Sequence, residues 1–205
     1  NSNYALFLSD IRKEYDKAEK HYKIALESEP NHANANSNYA LFLSDIRKEY
    51  DKAEKYYKIA LKSKPDDADI NSNYASFLSD IRKEYDKAEK YYKMALKSKP
   101  DDANANSNYA GFLLSQGRKT QADAYMERAF TYFKGKKDLL VELWFYRLAH
   151  YPTYRKEAEQ QLKSLLDEGC RSIGWDFSAN IEQAQKDGFS PIALLQQYAD
   201  KITKK

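Results

Sequence analysis

The sequence predicts an all-α protein, an α-solenoid of helix-turn-helix repeats followed by a C-terminal helical capping region. Three observations carry this. The stretch from Asn36 to Tyr50 recurs almost unchanged from Asn1 and from Asn71, and in drifted form from Asn106, so the period is 35 residues. A fixed period in this range marks units that stack on their neighbours. Inside each copy, apolar residues return at three- and four-residue spacing, the helical period. Tyrosine, at 18 residues, lies mostly within the copies, where aromatic side chains suit packing between helices.

Residues 36–70 serve as the unit. Asn36 to about Ile46 reads as a first helix, with Tyr39, Ala40, Phe42, Leu43 and Ile46 in helical register. Arg47 to Glu49 forms the turn. Tyr50 to about Ser63 is a second helix, with Ala53, Tyr57, Ala60 and Leu61 on one face. Pro65 stops it, and Asp66 and Asp67 are suited to cap the next helix. Helices of roughly 11–14 residues are marginal alone in water, so stacking must hold them. The repeats divide as 1–35, 36–70, 71–105 and 106–134, with 135–205 as the cap. Copies two and three differ only at Leu41/Ser76, Ile59/Met94, Asp69/Asn104 and Ile70/Ala105, the mark of recent duplication or of engineering.

The period ends after Phe133, and residues 134–137 read as a linker. Asp138 to about His150 is an apolar helix, with Leu139, Leu140, Leu143, Trp144, Tyr146 and Leu148, ended by Pro152. Tyr154 to Asp167 is another, turning Ala158, Leu162, Leu165 and Leu166 inward and closed by Gly169. Ser178 to about Lys186 is short. Pro191 to about Ile202 is last, with Pro191 in its first turn. A solenoid end exposes apolar surface, so the tail is expected to cap it.

Composition excludes several function classes. Net charge is +3, and residues 1–105 carry equal numbers of basic and acidic residues, interleaved. A nucleic-acid footprint needs clustered base, so no nucleic-acid partner is expected. No apolar run approaches the ~18 residues of a membrane span, so no membrane partner is expected. The opening residues lack a secretory signal pattern. Cys170 is the only cysteine, which rules out a disulfide within the chain and points to a reducing, cytoplasmic setting.

Catalytic and metal chemistry find no support. His21, His32 and His150 are scattered and read as packing or surface residues. Cys170 has no motif around it and reads as an idle thiol. Carboxylates alternate with lysines, and no glycine-rich phosphate loop is present. Neither enzyme activity nor a cofactor is expected. Lys52, Lys55, Lys58 and Lys62 form a basic ridge on the second helix, but Glu49, Asp51 and Glu54 interleave with it, as on a solvated face.

Residues 1 to about 134 resemble the tetratricopeptide repeat family. Tyr39-Ala40-x2-Leu43, then Ala53-x3-Tyr57, Ala60 and Pro65 follow its pattern of small residues at close helix approaches. The same small residues recur as Ala5, Ala18, Ala25 and Ala75, Ala88, Ala95. The resemblance implies a right-handed superhelix. Asn36 departs from the family's first aromatic, which should weaken packing at that edge. Nine residues separate Leu43 from Ala53, but eight separate Leu113 from Ala122. The extra residue in copies one to three should lengthen the first helix slightly. The segment 171–177 resembles tails that follow such arrays in bacterial proteins.

The resemblance implies a protein- or peptide-binding scaffold whose first helices line a concave groove. In some members an asparagine there bonds the backbone of an extended peptide once per repeat. Asn3, Asn38, Asn73 and Asn108 stand in that place, each directly before Tyr-Ala. A carboxamide offers a donor and an acceptor, matching a peptide unit. Leu41, Asp45 and Asp80 lie further along the same faces. Ser37 stands where some chaperone-binding members carry a carboxylate-clamping lysine, so a C-terminal carboxylate clamp is not expected. The alternative is a structural or self-associating array without a specific ligand. Tyr4, Phe7 and Leu8, without a preceding second helix, are expected to be bare and to support a weak homodimer.

Overall fold

The computed structural model describes residues 2–133, 135–173 and 175–203. Among them there is no β-strand. Two compact units divide the chain, Asn1–Lys99 and Pro100–Lys205.

The first unit holds three helical hairpins. Their first helices are α1 (Ser2–Phe7), α3 (Ala33–Phe42) and α5 (Ala68–Phe77), each prolonged by one turn of π-helix at Leu8–Arg12, Leu43–Arg47 and Leu78–Arg82. Their second helices are α2 (Tyr15–Ser28), α4 (Tyr50–Ser63) and α6 (Tyr85–Ser98). The second helix of the repeat runs over Tyr50–Ser63 as its sequence predicts. The first helix starts three residues before Asn36, because the cap sits at His32, whose Nδ1 accepts from the Ala35 amide at 3.2 Å. Asp67 caps α5, its Oδ1 accepting from the amides of Asp69 and Ile70.

Starting the helix early turns Asn36 inward. Asn36, Asn71 and Asn106 are fully buried. The Asn36 Nδ2 donates to the carbonyls of Pro30 (2.9 Å) and His32 (3.0 Å), and Asn71 repeats this on Pro65 and Asp67. The expected weak edge is thus a polar staple that closes the turn between repeats. It gives the proline carbonyl a partner and adds a second bond to the helix-start carbonyl, which the Asn36 amide already meets at 3.0 Å.

The extra residue of the first three copies goes into the π turn. The Lys48 and Glu49 amides both reach the Leu43 carbonyl, the latter at 2.9 Å, and Lys48 takes a left-handed conformation with φ 57°. The fourth copy lacks that residue. There the Arg118 amide bonds Leu113 and the Gly117 amide bonds Leu114, with Gly117 at φ 70°. This is the ordinary glycine-ended helix stop. The expected lengthening therefore appears as a widened last turn, not as one more α-helical residue.

Alanines at the close approaches carry no exposed surface (Ala18, Ala53, Ala88), and tyrosines fill the space between hairpins. The Tyr22 ring lies 5.5 Å from both Tyr39 and Phe42, and Tyr57 stands at the same distances from Tyr74 and Phe77. The first helices of the second and third hairpins also reach back with an arginine. Arg47 binds Asp16 at 2.5 Å and Glu19 at 2.8 Å; Arg82 binds Asp51 at 2.6 Å and Glu54 at 2.8 Å. Burial opposes ionisation of Glu19 and Glu54, but Lys23 and Lys58 with these arginines hold both carboxyls below their ordinary range.

The second unit holds the fourth hairpin, α7 (Ala103–Ser115) and α8 (Lys119–Tyr132), with the tail helices α9 (Lys137–His150), α10 (Arg155–Asp167), α11 (Ser178–Lys186) and α12 (Ile192–Thr203). Helix α9 is its centre, touching α7, α8, α10, α11 and α12. The predicted inward residues Leu139, Leu143, Trp144, Tyr146 and Leu148 are buried, joined by Val141, Phe145, Glu142 and His150. Linker residue Lys134 lies outside the described residues.

Candidate functional site

The predicted binding residues fall on one stripe of each first helix. On α3 and its π turn the stripe is Asn34, Asn38, Leu41 and Asp45; on α5 it is Asp69, Asn73, Ser76 and Asp80. Spacings of four, three and four residues keep each set on a single face. Asn38, Asn73, Leu41 and Ser76 are half-buried, while Asp45 and Asp80 are exposed. Helices α1, α3 and α5 touch in sequence, so their stripes lie side by side in the first unit. Asn3 is exposed on α1.

The chemistry along a stripe is graded. At its start Lys64 Nζ reaches Asn34 Oδ1 at 3.5 Å, and Lys99 Nζ reaches Asp69 Oδ2 at 3.6 Å. In the middle are the carboxamides of Asn38 and Asn73, with no hydrogen-bond partner among the described residues. At its end stand Asp45 and Asp80. The second-helix tyrosines lie beneath. Tyr57 is fully buried, and burial, then Asp45, pushes its phenol well above the usual range. Tyr92 shares a hydrogen bond with the Ser76 hydroxyl at 3.0 Å. A stripe therefore offers a cation, a neutral donor-acceptor group, a small or apolar step and an anion.

Asn108 lies in the second unit, on the stripe Asn104, Asn108, Gly111 and Ser115 of α7. Here the tail takes the face. A Cβ at Gly111 would stand 2.5 Å from the Tyr146 Oη, so only glycine admits this ring. The Tyr146 hydroxyl in turn accepts from Trp175 Nε1 at 3.0 Å. Helix α11 also packs on α7, and Gln183 stands over Gly117. The stripe thus binds its own chain on the fourth hairpin. The tail meets this stripe at Gly111, while Asn108 itself is half-buried as Asn38 and Asn73 are. The signal was in the copies: Leu41 and Ser76 become Gly111, and Ser44 and Ser79 become Leu114, which is 1% exposed.

Other candidates resolve as packing. Cys170 is buried and free, and His32 is a helix cap. His150 is buried with Nε2 3.0 Å from Asn180 Oδ1; burial lowers its pKa to about 4 against that hydrogen bond. Glu142 is buried beside Ser172, whose hydroxyl donates at 2.5 Å, and burial raises its pKa to about 7. No group of metal ligands occurs among the described residues, and no helix there is long and apolar enough to cross a membrane.

The solved structures similar to this chain share its fold. PilF of Pseudomonas aeruginosa is 20% identical, with a TM-score of 0.64, over 98% of this chain and 86% of its own. PilW, described as a type IV pilus biogenesis factor, is 23% identical, with a TM-score of 0.65, over 98% of this chain and 88% of its own. MamA is 18% identical, with a TM-score of 0.54, over 77% of this chain and 90% of its own. No curated protein matches the sequence. The sequence profile of the tetratricopeptide repeat matches residues 8–135, and with its helical hairpins in place the chain belongs to the tetratricopeptide repeat family.

Proposed function

We propose that the chain is a binding scaffold whose first unit takes an extended peptide across the stripes of α1, α3 and α5. The observation that carries this reading is the pair of half-buried carboxamides, Asn38 and Asn73, at equivalent positions without a protein partner. A carboxamide that pairs with a peptide unit repeats its bond wherever the stripe repeats. Leu41 gives an apolar contact on one stripe and Ser76 a shallower polar one on the next. Asp45 and Asp80 favour a ligand with a lysine or arginine toward that end. The fourth stripe, with Asn108, belongs to the tail in this reading. The single buried thiol fits a cytoplasmic setting.

A peptide-array screen of the full chain against the triple variant Asn3→Ala, Asn38→Ala, Asn73→Ala tests the reading. Capture of a peptide set by the native chain, lost by the variant with an unchanged melting curve, is the expected result. The same set captured by both proteins would remove the asparagines from the site. Self-association through α1 is a second reading, favoured by Tyr4, Phe7 and Ile11 at 52, 45 and 66% exposure. Leu8 does not join them, since its side chain is 3% exposed. Sedimentation across a concentration series, with Phe7→Ser as control, separates monomer from dimer.

A further inference from the structure

The outer side of the first unit carries a second recurring feature, on the second helices and away from the stripes. A hollow of about 460 Å³ lies along α4, with Ile59 half-buried in its lining. Lys55, Lys58, Lys62 and Arg82 bring four cations to it, against the carboxylates of Asp51 and Glu54. Both carboxylates are engaged: Arg82 bridges them, and Lys58 binds Glu54 at 2.6 Å. That leaves Lys55 and Lys62 without an ion pair among the described residues. One period later, Lys90, Lys93, Met94 and Lys97 of α6 line a hollow of about 490 Å³ with Asp86 and Glu89. Lys93 binds Glu89 at 2.7 Å, and among the described residues no arginine lines this hollow and Lys90 and Lys97 again form no ion pair. The excess charge therefore sits beside an apolar surface, twice, at the same register.

We propose that these outer faces of α4 and α6 bind an acidic peptide segment that carries a bulky apolar side chain. The apolar group covers Ile59 or Met94, and glutamates or aspartates meet Lys55 and Lys62, or Lys90 and Lys97. Asp51 and Glu54 wall one side of the α4 hollow, so an unbroken polyanion is repelled where a segment with spaced carboxylates is not. The first copy supplies an internal contrast. On α2 the position of Lys62 is held by Glu27, so that face has no cation surplus and takes no part. Two such sites on one chain, the α4 hollow with the larger cation surplus, favour a ligand with two such segments, through effective concentration. The proposal is independent of the peptide groove.

Fluorescence anisotropy of the full chain with a short labelled peptide of glutamate and alanine around a central leucine tests it. Saturable binding that weakens with salt is expected. Lys55→Gln, Lys62→Gln, Lys90→Gln and Lys97→Gln together should weaken it about tenfold or more, while arginine at the same four positions retains it. Lys62→Glu with Lys97→Glu, which copies the α2 face, should abolish it. Replacing the peptide's glutamates by glutamine, or its leucine by alanine, should do the same. Asn38→Ala with Asn73→Ala should leave the affinity unchanged, and loss there would move the peptide to the groove and overturn the assignment. Absence of saturable binding, or binding indifferent to the lysine variants, would also overturn it.

Discussion

The fourth hairpin and the first three are built on one pattern, yet they treat the same helix face in opposite ways. In the first unit the stripe is a half-buried Leu41 or Ser76 between a half-buried asparagine and an exposed aspartate. In the second unit it is Gly111, pressed by Tyr146, with Leu114 where Ser44 and Ser79 stand. The ends of the first helices differ as well, a π turn with left-handed lysine against a glycine stop. A repeat thus changes from an open-faced unit to a docking unit by a few substitutions on a constant frame. The frame is the aromatic packing, the buried alanines and the asparagine staple; the face is free to vary because it holds nothing up.

Exchanging residues between the two units gives the largest effect. Gly111→Leu, which writes copy two into copy four, should cost about 3 kcal/mol by forcing Tyr146 out. Ser76→Leu, the same exchange inside the first unit, should cost under about 1 kcal/mol, since copy two carries Leu41 at the equivalent position of the same frame. Thermal melts of both variants decide; equal losses would erase the distinction between an open and a docked stripe.

The next effect belongs to the second unit alone. Glu142 has its pKa raised from 4.5 to about 7, so the folded state holds a proton that the unfolded chain releases between those values. Its contribution falls as pH rises through that window. His150 is lowered from 6.5 to about 4, so its contribution is lost as pH falls through that window. The two slopes oppose one another between about pH 4.5 and 6.5. Glu142→Gln should stabilise the protein by roughly 2–3 kcal/mol at pH 8 and expose the slope due to His150 in denaturant titrations across pH. A pH profile identical to wild type would show that Glu142 is not held neutral.

Smaller effects test the helix ends. Lys48→Gly and Lys83→Gly, at φ 57° and 58°, should each stabilise by about 1 kcal/mol. Gly117→Ala should lose about as much, because that residue also sits at positive φ. Opposite signs for these inverse exchanges confirm that both kinds of turn hold a residue at positive φ; the same sign contradicts it. Smallest is Arg82→Ala, about 0.5–1 kcal/mol and reduced by salt, since the clasp on Asp51 and Glu54 is partly solvated.

Period, helix pairing and the second helices were legible in the sequence because they rest on local signals: Pro65, Asp67 and the alanine-tyrosine spacing. The boundaries of α11 and the inward residues of α10 were legible for the same reason. The π turn was not, because counting nine residues against eight locates an insertion without its geometry. Asn36 was misjudged since polar side chains rarely sit fully buried, and only the Pro30 and His32 carbonyls explain why it does. In the candidate site, the asparagine-aspartate stripe follows from spacing, but its occupation by the tail depends on Tyr146, far along the chain. No periodicity reports a contact of that range.

The repetition of the aromatic and arginine contacts bears on how the chain finds its fold. Helix α2 offers Asp16, Glu19 and Tyr22 to α3, and α4 offers Asp51, Glu54 and Tyr57 to α5. The two surfaces are interchangeable, so α2 docked on α5 with the second hairpin looped out satisfies nearly the same bonds. Loop-closure entropy rises only slowly with length and penalises such a slip weakly. Folding from denaturant should therefore pass through misaligned species that must open before correcting, visible as a concentration-independent slow phase. Gly111 and Tyr146 have no counterpart in the other copies, so the fourth hairpin is the one place where the chain can keep count.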